Sequence, residues 1–133
     1  MIKIKDLKEG GIVRVLHDGV EREGYVVNVG KDEVCINNGT QEFWYPFNEL
    51  IPIPLAEHEL VHTLGFVKEV TAEGIKFKKG PFRVLIQEKT QFNILEVWYR
   101  EDRRHFNHAL FVHELQAHHL DMTKMPLEKA VVH

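Results

Sequence analysis

From Ile12 to Leu55 the chain alternates short apolar segments with turns that contain Gly, Asn or Asp, at a spacing of roughly ten residues, and this rhythm restricts the stretch to a β meander. The pattern predicts strands over Ile12–Leu16, Tyr25–Val29, Glu33–Ile36 and Glu42–Tyr45, separated by His17-Asp18-Gly19, Gly30-Lys31-Asp32 and Asn37-Asn38-Gly39. Pro46–Leu50 reads as a single helical turn, and Ile51–Pro54 as an edge or exit strand, because its two prolines withhold ladder donors.

The second half changes period. Leu55–Leu64 predicts a helix stopped by Gly65, followed by strand-like pieces between residues 66 and 99 with turns at 72–74, 79–81 and 88–91. Arg100–Phe106 reads as a loop, and a second helix is expected from an Asn107 cap to about Thr123. On that helix Phe111, Val112, Leu115, His118, His119 and Met122 form the expected core stripe, while His113, Gln116 and Leu120 form a second, more polar one. The fold class expected is mainly β with α+β: a small barrel over residues 1–54 packed against an α-β-meander-α unit over 55–133. Each module is near the size at which it cannot bury a core alone, so the two should pack together.

Five short strands with a helical turn before the last resemble a Src-homology-3-like barrel of the Tudor or KOW type, over about residues 8 to 54. The combination of Ile51-Pro52-Ile53-Pro54-Leu55, Leu64-Gly65-Phe66 and Val112-His113-Glu114-Leu115-Gln116 resembles a family of small bacterial and phage proteins, over residues 3 to about 123. That resemblance implies no activity. It does imply a shared polar role for His113 and Gln116, such as holding the helix against the barrel through hydrogen bonds. At Ala117, His118 and His119 the chain departs from the family pattern, which carries Asn and large apolar residues there and so treats these as packing positions.

The formal net charge of -3 lies wholly in residues 1–54, so neither half offers the bulk basic face that nonspecific nucleic-acid binding needs. A protein or peptide partner is therefore favoured over nucleic acid. The longest apolar stretches are short and no leader-like segment opens the chain, which points to a cytoplasmic location and no membrane contact. The single cysteine, Cys35, sits in an apolar strand and reads as a buried, inert thiol. The chain has no serine and no glycine-rich phosphate loop, which excludes a serine nucleophile and gives no reason to expect a cofactor.

Three clusters remain. Five histidines fall between His105 and His119, but His113 and His118 lie roughly 140° apart around a helix, so they cannot form the i,i+4 pair of a zinc peptidase. A looser metal set would use His105, His108 and His113, with Glu114 as base. Arg100, Arg103 and Arg104 form the densest positive charge and could hold an anion. Tyr25, Phe43, Trp44, Tyr45 and Phe47 give the barrel more aromatics than one small core absorbs. The leading reading is a non-catalytic binding or adaptor protein, its ligand groove lying between the modules and lined by Tyr25, Trp44, Tyr45, Trp98, His113 and Gln116. The alternatives are a metal-dependent hydrolase using the histidine window and a nucleic-acid-binding barrel using the arginines.

Overall fold

Alternation along Ile12–His17 (β1) and Val20–Val29 (β2) sends Val13, Val15 and Val26 to one face, and these begin the first of two cores. A computed structural model describes residues 2–87 and 92–130 of the chain. The expected turn at 88–91 lies outside the described residues. Glu33–Asn37 (β3) and Glu42–Pro46 (β4) follow, then a 3-10 turn over Phe47–Glu49 and the two-residue strand Leu50–Ile51 (β5). The strands form one antiparallel sheet in the order β4-β3-β2-β1-β5. It is an open sheet with β4 and β5 at its edges.

The long strand β2 serves both neighbours, pairing with β1 along residues 20–25 and with β3 from Tyr25 onward. Gly24 stands at the changeover, where a Cβ would lie 2.6 Å from the Asn37 carbonyl oxygen, so only glycine lets β3 approach this closely. A bulge between Val26 and Asn28 adds further twist.

A second antiparallel sheet runs in simple meander order through Val67–Thr71 (β6), Gly74–Lys79 (β7), Phe82–Ile86 (β8), Leu95–Tyr99 (β9) and Asp102–Phe106 (β10). The last strand corrects the loop expected at 100–106. Arg100 takes a left-handed conformation (φ 54) and turns the chain back on itself, so the charged run pairs residue for residue with β9. Charge made the segment look solvated, but alternating charge on an edge strand is compatible with pairing and protects the edge.

The two helices also differ from expectation. Leu55 is extended, and only a short turn survives from the helix expected over 55–64, with π geometry over Glu59–Thr63 and the Leu64 N–H bonded to the Glu59 carbonyl. The final helix spans Val112–Thr123 (α1), starting five residues beyond Asn107. Phe111 precedes it, its N–H donating to the Glu114 carboxylate at 2.8 Å. Residues 110–112 are instead tied to 53–55: Leu55 N–H donates to the Leu110 carbonyl, and Val112 N–H to that of Ile53.

Helix α1 is buried on two sides. Val112, Leu115 and Met122 join Phe77, Val84 and Val97 in the second core, as the stripe predicted. Phe111 is exposed and His118 only half-buried, whereas His113 and Gln116 of the polar stripe are buried. The reason is that the first module covers that stripe. Gln116 Oε1 accepts from the Ile12 N–H at 2.7 Å, while Nε2 donates to the carbonyls of Gly10 (2.9 Å) and Leu127 (2.7 Å).

Gln116→Leu keeps the volume and removes all three bonds. Leaving buried groups unsatisfied costs about 1–3 kcal/mol each, so urea denaturation should show a loss of roughly 2–4 kcal/mol with an unchanged slope. A loss under about 0.5 kcal/mol would mean that the bridge is replaceable.

Candidate functional site

The β1–β4 register lines up Ile12, Tyr25, Asn37 and Glu42 as one cross-strand row on the face opposite the first core. This row floors a groove of about 720 Å³. Glu9 and Gly10 form one wall, and Pro126, Glu128 and Lys129 of the C-terminal segment form another. The segment is held there by the Gln116–Leu127 bond, by Ala130 N–H donating to the Thr63 carbonyl at 2.7 Å, and by a Lys129–Glu23 ion pair at 2.9 Å. Tyr25 keeps 46% of its surface exposed on the floor. Glu9, Glu42 and Glu128 give the rim a negative field that Lys129, already paired, does not cancel.

Of the six residues expected to line one groove, the structure places only Tyr25 on this floor. His113 and Gln116 line a cavity of about 20 Å³ beside it, together with Lys8, Glu9 and Gly11. Trp44 is 49% exposed on the outer face of the sheet, one row away, with its ring against Gly30. Tyr45 is buried: its hydroxyl bonds Asn38 Nδ2 at 3.2 Å and His17 Nδ1 at 3.1 Å, so it fastens the β3–β4 turn. Trp98 belongs to the second sheet, far along the chain from this floor, with Arg103 stacked on it. The row Ile12–Tyr25–Asn37–Glu42 was recoverable from strand register, but the wall at 126–129 followed a tail that carries no periodic signal.

The histidine window does not converge. His105 of β10 lies 3.6 Å from Glu96 of β9, His108 bonds the neighbouring Ala109 carbonyl, and His113 is buried with Nδ1 lacking a partner and its ring parallel to that of Phe111. His118 meets Arg104 and Phe106, and His119 bonds the Met125 carbonyl at 2.8 Å and packs edge-on to Phe82. The i,i+4 spacing that His113–His119 lacks is present at His58-Glu59-Leu60-Val61-His62, which the sequence reading overlooked. Their rings are 4.8 Å apart on the exposed side of the π turn. Among the described residues no group of three or more His, Cys, Asp or Glu is placed to hold a metal ion, there or elsewhere. Among the described residues the pair has no third ligand.

The arginines divide between two faces. Arg104 points into the molecule, bonded to Asp121 at 2.6 Å and Asp102 at 3.3 Å, and these carboxylates raise its pKa. Arg103 lies on the outer face, 4.0 Å from the Trp98 ring and 3.5 Å from Glu96, and Arg100 covers Tyr99. They do not form one anion clamp. Cys35 is buried in β3, where desolvation and Glu42 push its thiol pKa up. Among the described residues no helix is long and apolar enough to cross a membrane. Comparison with protein-family models, curated proteins and solved structures finds no match to this chain.

Burial pushes the pKa values of His113, His118 and His119 below the usual imidazole range. Arg104 lowers His118 further and Lys79 lowers His119, while Glu114 and Asp6 oppose the shift at His113 and His118, Asp121 also opposes it at His118, and the Met125 carbonyl opposes it at His119. The folded chain therefore binds fewer protons than the unfolded one below about pH 6.5. Stability should be full above that value and fall as pH drops from it towards the depressed native values. Urea midpoints at pH 7.5 and 5.5 should show this fall, and His113→Gln should flatten it. A midpoint that rises on acidification would contradict the assignment.

Proposed function

We propose that the protein is a non-catalytic binding module whose N-terminal sheet is a Src-homology-3-like unit, and that it engages an extended peptide segment of a partner protein in the Tyr25 groove. Support for the fold reading comes from the order β4-β3-β2-β1-β5 and from the 3-10 turn that precedes the last short strand. The observation that carries the binding reading is the groove itself. Its volume of about 720 Å³ lies within the range of about 300–1,000 Å³ typical of ligand sites.

The lining chemistry favours a segment of a particular kind. Tyr25 offers a flat amphipathic face that loses little rotamer freedom on contact, and Glu9, Glu42 and Glu128 offer acceptors to Lys or Arg side chains. Ile12 and Val27 add apolar lining. A basic peptide with one apolar or proline side chain satisfies all three. The described residues that line the groove include no His, Cys or Thr, and this lining favours binding over turnover.

Titrating the 15N-labelled protein with a short Lys/Arg/Pro peptide tests this. Shifts should localise to 24–27 and 126–129, and Tyr25→Ala should weaken binding at least about fivefold, as loss of an aromatic anchor usually does. Absence of shifts at millimolar peptide, or shifts confined to other surfaces, would count against the groove.

A further inference from the structure

The outer face of the second sheet carries a charge pattern opposite to that of the groove. Register places Lys78, Arg83, Trp98 and Arg103 in one unbroken row across β7, β8, β9 and β10. Directly opposed residues of an antiparallel pair share a face, and strands lie about 4.8 Å apart, so the row runs about 14 Å. Lys76 stands in the next row with its ammonium 5.9 Å from the Trp98 ring, and Arg100 closes the end, its carbonyl accepting from Trp98 Nε1 at 2.6 Å. Helix α1 packs on the other face of this sheet, through Phe77, Val84 and Val97, while on this one Lys76, Lys78, Arg83 and Trp98 are half-buried and Arg103 is exposed.

Four cations, Lys76, Lys78, Arg83 and Arg103, face two carboxylates here, in a protein whose overall charge is -3. The carboxylates are Glu69, bonded to Lys78, and Glu96, 3.5 Å from Arg103. Arg83 is steadied by the Gly80 and Phe82 carbonyls. The guanidinium of Arg103 stacks over the Trp98 ring, 4.0 Å from its centroid, and the pair presents the flat cationic face of the guanidinium outward.

We infer that this row is a binding surface for single-stranded nucleic acid, with phosphates on Lys78, Arg83 and Lys76 and a base stacked on the Arg103–Trp98 platform. A line of positive charge one residue wide follows a single backbone, whereas a duplex needs a broader field and the adjoining Glu69–Glu96 row opposes one. Trp98 is held by its Nε1 bond and half-buried, and so is not placed to insert into a lipid surface. The surface is separate from the Tyr25 groove and stands or falls independently of it.

The test is fluorescence anisotropy of labelled 12-mer oligo-U and oligo-dT with the full chain, at 50 and 200 mM salt. Three phosphate contacts predict a loss of affinity of about 20-fold between the two salt concentrations for a single strand. Lys76→Ala with Lys78→Ala, both half-buried on this face, should weaken binding at least about tenfold and flatten the salt dependence. Lys31→Ala, on the β2–β3 turn of the other sheet, should leave it unchanged. In a Trp44→Phe background, Trp98 is the sole tryptophan, and its fluorescence should be quenched by the oligonucleotide. The inference is overturned by absence of binding at 100 µM protein in 50 mM salt, by binding that the double lysine variant leaves intact, or by preference for phosphatidylserine vesicles over both oligonucleotides.

Discussion

The carboxamide of Gln116 holds the structure's two halves in register. One side chain accepts the Ile12 N–H at the start of β1 and donates to the carbonyls of Gly10 and Leu127, so it touches the first sheet, the final helix and the C-terminal segment together. All three partners are backbone groups, which makes the contact sensitive to position and indifferent to the identity of neighbouring side chains. Glutamine suits the task because its amide offers both an acceptor and two donors at the end of a flexible stem. A carboxylate could not donate, and an apolar residue would leave buried groups unpaired.

The remaining joints follow from that placement. With α1 docked against β1, residues 110–112 come alongside 53–55 and exchange backbone bonds, and Ile12, Ile53 and Leu55 enter the core of the second module. The chain beyond α1 is then led across the outer face of the first sheet, where Lys129 reaches Glu23 and the segment becomes a wall of the groove. The groove therefore exists only because the modules are joined. Two partly open sheet faces of opposite sign result, an acidic one around Tyr25 and a basic one around Trp98.

Strand periodicity made the first sheet legible almost strand for strand, because Val, Ile and aromatic alternation broken by Asn-Gly and Asp-Gly turns has few other solutions. Two kinds of feature were not legible. β10 was hidden because Asp102-Arg103-Arg104-His105 carries no apolar alternation, yet an edge strand needs only one half-buried side and here uses Arg104 and Phe106 for it. The short π turn at 59–63 was hidden because helix propensity does not register a bond of five-residue span or the pull of Leu55 into pairing with Leu110. At the candidate site, Tyr25, His113 and Gln116 were recognised as residues of the joint. Trp44, Tyr45 and Trp98 were grouped with them by chemical type, and register separates them: Tyr45 turns inward, Trp44 lies one row from Tyr25, and Trp98 belongs to the other sheet. Residue type identifies what can bind, and only pairing identifies which residues can bind together.

Amide hydrogen exchange at Ile12 tests the Gln116 bridge most directly, since that N–H lies at the start of β1 and has the side-chain oxygen as its acceptor. If the bridge holds the modules together, the Ile12 amide exchanges only through global unfolding, as slowly as the central amides of β8 and β9. Exchange within minutes at neutral pH, with those central amides still protected, would show that the two halves separate in the native state and contradict the account.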